Sequence, residues 1–126
     1  MILGGILLKR IVFDLDDTIC FPNHSGEDTY MKYAMSKPNT PVIDGMLKLK
    51  EQGYYIIIHS ARRMLTHNGD LQKILADVQH ITIHWLHDYG VPYDELVFGK
   101  PYADTYYVDD KAMTIEGFLE WANSTS

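Results

Sequence analysis

Cysteine is almost missing from this sequence. Cys20 is the only one in 126 residues, so no internal disulfide can form and nothing points to an oxidising compartment. Positive charge is also scarce. Eleven Lys and Arg stand against seventeen Asp and Glu, giving a formal net charge of −6. With no basic run to offset that balance, no nucleic-acid partner is expected. Long hydrophobic runs are absent as well. Met1 to Leu8 is apolar but too short to span a bilayer, and it lacks a small-residue cleavage site; it is read as extra length before the first strand or as an alternative start. Neither repeats nor low-complexity tracts appear. These absences predict a cytoplasmic protein with no membrane partner. Its 46% apolar and 22% charged residues suit one domain, 1-126, around one core.

What is present is organised around Ile11-Val12-Phe13-Asp14-Leu15-Asp16-Asp17-Thr18. An apolar run that ends in three carboxylates within four positions reads as a buried strand of a parallel sheet, Arg10 to Leu15, opening into the crevice at the sheet's carboxyl edge. Such crowded like charges require either a protonated carboxyl or a hard divalent cation. A breaker-rich segment, Ile19 to Thr40, follows. Helices are predicted over Val42 to Gln52, Asp70 to Tyr89 and Ile115 to Ala122, and further strands over Tyr54 to His59, Leu96 to Phe98 and Thr105 to Val108. Strands alternating with helices imply an α/β, Rossmann-like three-layer sandwich with a central parallel sheet and helices on both faces.

Three further strand ends bear chemical groups. Ser60, followed by the turning backbone N–H groups of Ala61 and Arg62, can hold a phosphate oxygen. Lys100 follows the third strand, and Asp109 with Asp110 follows the fourth. Each alone is weak: a Ser there commonly forms a turn, and a lone Lys is commonly solvated. Together they suit phosphoryl transfer. One carboxylate attacks phosphorus, a second two residues away handles the leaving-group proton, and a cation and Lys100 suppress the dianion's charge. Mg2+ prefers few carboxylates, several waters and substrate oxygens.

These residues, in this order from 11 to 111, resemble the four motifs of the haloacid dehalogenase superfamily. The resemblance implies Asp14 as nucleophile and metal ligand, and Asp16 as general acid/base binding Mg2+ through its backbone carbonyl. Ser60 and Lys100 would hold phosphate; Asp109 would ligate the metal, with Asp110 beside it. An acid at position 16 favours the phosphatase branch over the dehalogenase branch. Asp17 replaces the commoner glycine and receives no role. In place of the family's cap domain, residues 19-41 leave room only for a flap or short insert. The length and the Gly-Lys-Pro and Val-Asp-Asp-Lys-Ala segments are similar to small phosphatase-like proteins of capsule and surface-polysaccharide synthesis. The implied reaction is Mg2+-dependent hydrolysis of a small phosphorylated substrate such as a sugar phosphate.

Without a cap, water is excluded by a second copy of the chain in a homo-oligomer or by the substrate itself. Tyr30, Met31, Tyr33 and Met35 supply apolar surface for a neighbour, or fold back as a short helix. An open site also admits a polynucleotide end or a phosphoprotein. A receiver-like signalling domain shares paired acids, a hydroxyl and a lysine, but its phosphorylated Asp ends a later strand, where this chain has Ser60. A scaffold that has lost activity is opposed by the intact set of Asp14, Asp16, Lys100 and Asp109. His80, His84 and His87 share one helix face and are read as solvated rather than metal-binding. Cys20, near the first motif, is read as a quiet small residue. Asn23, His24, Arg62 and Arg63 are candidates for the substrate entrance.

Overall fold

Residues 2–3, 6–7, 9–25, 28–102 and 106–124 are described by a computed structural model. A short antiparallel pair, β1 (Ile2–Leu3) and β2 (Ile6–Leu7), precedes β3 (Arg10–Asp14). β4 (Cys20–Phe21), α1 (Thr29–Ala34) and β5 (Lys37–Pro38) form the insert, and α2 (Thr40–Glu51) leads to β6 (Tyr55–Ser60). α3 (Leu71–Asp88), β7 (Glu95–Phe98) and α4 (Ile115–Ser124) complete the order.

The Rossmann-like α/β class expected from the sequence is the one observed, with a parallel sheet ordered β3-β6-β7 at its centre. Register places Asp14 beside His59 and Ser60 beside Phe98, so the chemical groups end together at one edge. Asp94 fixes that register. Its backbone N–H donates to Ile56 O at 2.7 Å, and its Oδ2 accepts from Ile56 N at 2.8 Å.

Alternation sets the layers. Ile11, Phe13, Ile56, Ile58, Leu96 and Phe98 share the face that receives α2, α3 and α4. Both crossovers run the same way across the sheet, and right-handed connection then puts α2 and α3 on one side. Phe13 meets Phe118 of α4 edge-on, with ring centroids 5.0 Å apart. On the opposite face Val12 is 58% exposed. α3 is bounded at both ends: Asp70 Oδ1 caps its start by accepting from Lys73 N, and Gly90 turns the chain out past its end at φ 63.

One alternative left open by the sequence is met and one expectation needs correction. Part of the insert folds as a short helix. Asp28 caps α1 by accepting from Met31 N at 2.7 Å, and Tyr33 folds inward while Tyr30, Met31 and Met35 stay exposed. The fourth strand is not formed at Tyr106 to Val108; Thr105 lies outside the described residues. Tyr106 and Val108 are 87% and 99% exposed, with no ladder to hold them. Local bonds compete there: Asp109 Oδ1 accepts from Lys111 N at 2.8 Å, and Tyr107 Oη donates to Pro101 O. Among the described residues, no helix is long and apolar enough to cross a membrane.

Candidate functional site

Asp14 ends β3 with a half-open carboxylate. Thr18 Oγ1 donates to its Oδ2 and Lys100 Nζ to its Oδ1, both at 3.1 Å. The Thr18 contact comes from the tight turn after the strand, where the backbone N–H groups of Thr18, Ile19 and Cys20 all reach back to Leu15 O. Asp17 sits in this turn at φ 66, a left-handed conformation that glycine adopts freely and Asp tolerates better than most residues. The position thus makes a demand on the backbone, and Asp17 needs no chemical role to be there.

Asp16 is held differently. Arg62 Nε donates to its Oδ2 at 2.9 Å and Nη2 to its Oδ1 at 2.8 Å, a parallel two-bond fork. The Arg62 side chain has no exposed surface, whereas that of Asp16 is 25% exposed toward the cavity. Nη1 donates to Thr82 Oγ1 at 2.8 Å, and Cζ lies 4.2 Å from the Tyr33 ring centroid. Burial would lower the Arg62 pKa, but the adjacent Asp16 carboxylate overcomes this and raises it, so the guanidinium stays charged. The sequence offered the Arg62 backbone N–H to a phosphate oxygen; in the structure that N–H donates to Ser60 Oγ at 3.0 Å, and the guanidinium goes to Asp16.

Ser60 is 1% exposed and lies below the surface, its Oγ accepting from Arg62 N at 3.0 Å and its carbonyl from Lys100 N at 3.1 Å. It thus ties the turns after β6 and β7 together. Ala61, Arg62, Arg63 and Lys100 line a cavity of about 430 Å³ with Asp14, Asp16 and Asp17. Its other walls include Lys32, Tyr33, Tyr102 and Tyr107, and Lys100 Nζ lies 4.5 Å from the Tyr107 ring centroid. Arg63 adopts φ 62 and is anchored by Asp77, which also meets His67; both contacts are 2.8 Å. Cys20 is buried beside Asp16, and burial followed by that carboxylate pushes its thiol up to about 12 despite Arg62. Desolvation, then Lys100, lowers the pKa of His59 on the strand beside Asp14.

Asp109 reaches the vicinity by another route. It shares with Asp14, Thr18 and Lys100 a second cleft of about 790 Å³ running along β3, whereas Asp110 is exposed and lines neither space. Among the described residues no three His, Cys, Asp or Glu side chains come together closely enough to hold a metal ion unaided. Mg2+ does not require such a group, because it takes one or two carboxylates and fills its octahedron with water and substrate oxygens. The hard oxygens of Asp14 and Asp109 on one cleft are the right donor chemistry for it. Asn23 and His24 line neither space, and His80, His84 and His87 are exposed along α3.

Sequence reasoning gave no part in the site to Thr18, Lys32, Tyr33 or Thr82. Two of them left a signal: Thr18 closes the acidic stretch after the first strand, and Thr82 is the one hydroxyl within the apolar stripe of α3, between Val78 and Trp85.

Fold and site together define a small α/β protein whose charged groups collect where parallel strands end. A crystal structure of a Vibrio cholerae target protein matches with a TM-score of 0.79 and 30% identity, over 93% of this chain and 95% of that one. The chain belongs to the family of that protein. A structure of the Pnkp1/Rnl/Hen1 RNA repair complex contains a chain of similar fold, with a TM-score of 0.54 and 22% identity over 94% of this chain. Another structure of the Pnkp1/Rnl/Hen1 complex gives a TM-score of 0.52 and 26% identity over 82%. This chain spans about a third of those two, 32% and 31% respectively. Neither the protein-family models nor the curated proteins give a match.

Proposed function

We propose that the chain is a Mg2+-dependent phosphomonoester hydrolase of the haloacid dehalogenase type. The observation that carries this is the convergence of Asp14, Asp16 and Lys100 on one cavity, with Lys100 Nζ 3.1 Å from the Asp14 carboxylate. An Asp14 oxygen attacks phosphorus in line, and the bond to the ester oxygen breaks. Asp16, having first taken up a proton from solvent, delivers it to that departing oxygen, which leaves as an alcohol. Water then attacks the aspartyl-phosphate while the Asp16 carboxylate takes its proton, releasing phosphate and restoring Asp14. Lys100 offsets the charge on the transferred oxygens, and Ser60 fixes the turn beneath them. Bound through Asp14 and Asp109, Mg2+ supplies neutralisation of the dianion.

A cavity of about 430 Å³ fits a small phosphate ester such as a sugar phosphate of polysaccharide synthesis. A second reading, phosphate removal from a polynucleotide end, draws on Lys32 and Arg63 beside the cavity and on the likeness to chains of the Pnkp1/Rnl/Hen1 complex. Closure by another copy of the chain would cover Tyr30 and Met31 of α1 and Met35 just after it. The test is a panel of sugar phosphates, nucleotides and 3′- and 5′-phosphorylated oligonucleotides, with and without Mg2+, with light scattering for assembly. Metal-dependent release of phosphate that Asp14→Asn abolishes is the expected result. Undiminished hydrolysis by Asp14→Asn overturns the covalent mechanism, and no hydrolysis of any member overturns the function.

A further inference from the structure

We infer that Arg62 is a positioning residue for Asp16, braced in turn by Thr82, and does not bind the phosphate; this rests on the phosphatase reading above. The guanidinium has no exposed surface, and three of its bonds, 2.8 to 3.1 Å long, go to one carboxylate. Its remaining nitrogen donates to Thr82 Oγ1 at 2.8 Å, and that hydroxyl donates onward to Val78 O at 2.7 Å. Tyr33 of the insert closes over the other side, 4.2 Å from Cζ. Asp16 is thereby connected to α3 and to α1 as well as to its own turn.

Stability does not explain the arrangement. Withdrawing a guanidinium and a carboxylate from water costs roughly what their attraction returns, and apolar residues of the same volume commonly do as well. Orientation does explain it. A general acid must meet the leaving oxygen at hydrogen-bond distance, and a displacement of about 1 Å can cost a hundredfold in rate. A single-turn connection from Asp14 leaves the Asp16 side chain free to rotate; two parallel bonds to a rigid planar fork remove that freedom. Lysine has the charge but only one point of attachment.

Arg62→Lys and Thr82→Val are therefore compared with the unaltered protein on two substrates, an alkyl phosphate with a poor leaving group and p-nitrophenyl phosphate. Inorganic phosphate serves as inhibitor, and Tm reports folding. For Arg62→Lys, kcat on the alkyl ester falls about 30- to 100-fold, while kcat on the nitrophenyl ester, whose leaving group needs little protonation, falls less than about threefold. Thr82→Val, which keeps the ion pair, shifts the ratio in the same direction by about three- to tenfold. KM and the inhibition constant for phosphate change less than about twofold. A weakened inhibition constant in Arg62→Lys makes Arg62 a phosphate ligand and overturns the inference. So does an unshifted leaving-group ratio in Thr82→Val together with Arg62→Lys, whatever happens to Tm. If the unaltered protein hydrolyses neither ester, the phosphatase reading falls and this one with it; activity with an unmoved ratio removes the role of Arg62 alone.

Discussion

Lys100 Nζ lies 3.1 Å from Asp14 Oδ1 across 86 residues of sequence. Two features close that separation. β3 and β7 flank β6, so both residues emerge at the same sheet edge, and Lys100 N is tied to Ser60 O. Gly99, at φ 90, makes the turn that sends the lysine back over the strand ends. A cation is thus stationed on the proposed nucleophile before any substrate arrives.

Lys100→Met separates the stabilising and catalytic shares of this pair. With side chains 18% and 37% exposed, the ion pair contributes about 0–1 kcal/mol, so the denaturation midpoint barely moves. Turnover falls about 10²–10³-fold, because the missing charge acts on the transferred phosphoryl group. Steady-state kinetics beside urea titration checks both. Unaltered turnover sinks the assignment of Lys100.

Gly45→Ala tests how closely α2 and α4 approach. A methyl there would lie 2.9 Å from Phe118 Cε2 and Cζ, and Phe118 is buried against Phe13. Helix propensity would favour alanine by about 1 kcal/mol. Overpacking costs about 1–3 kcal/mol, and because a buried ring has little room to yield, the net change is destabilising by about 1 kcal/mol. A higher Tm for Gly45→Ala would show that Phe118 gives way freely.

Legibility in the sequence followed the range of the interactions. Local patterns reported themselves well: the apolar strand read over Tyr54 to His59 and the long helix read over Asp70 to Tyr89 both depend on neighbours in the chain. Strand ends were legible too, since Asp14, Ser60 and Lys100 each follow an apolar run. What pairs with what was not. Nothing near Arg62 in sequence says that its guanidinium turns inward to Asp16, 46 residues earlier, because Thr82 and Tyr33 come from distant elements. The fourth strand read from Thr105 to Val108 failed, in its described residues, for the same reason. Apolar β-formers specify a strand only when an edge receives them, and here local turns hold the backbone instead.

Acid should weaken the fold through Asp94 and Asp77. Burial pushes each carboxyl up, but hydrogen bonds overcome it and hold both below the ordinary 3.8, from Lys50 and Ile56 N at Asp94 and from His67 and Arg63 at Asp77. A depressed carboxyl binds its proton more weakly folded than unfolded. Its contribution is complete above pH 3.8 and is lost as pH falls from there through the folded value. Asp94→Asn should lower stability at neutral pH and flatten its decline between about pH 4 and 2. Chemical denaturation at stepped pH measures this; an equally steep decline in Asp94→Asn would assign the acid sensitivity elsewhere.

Cys20 should be inert in the native protein although it lies within reach of the site. The nucleophile in alkylation is the thiolate, and access is required as well. Cys20 has no exposed surface, and burial together with the Asp16 carboxylate pushes its thiol up to about 12, so almost none is ionised at pH 8. Arg62 pulls the other way, its Nη2 lying 3.6 Å from Sγ, but the first two effects win. Iodoacetamide should therefore label the folded protein only through opening of the structure, with a rate that follows stability as urea is added. Labelling should quicken in parallel with the loss of tertiary signal, and Gly45→Ala should label faster than the unaltered protein by the factor its stability predicts. Rapid labelling at pH 8 without denaturant, before any tertiary signal is lost, would mean that the turn carrying Asp16 opens by itself, and the geometry proposed for the general acid could not then be held through a catalytic cycle.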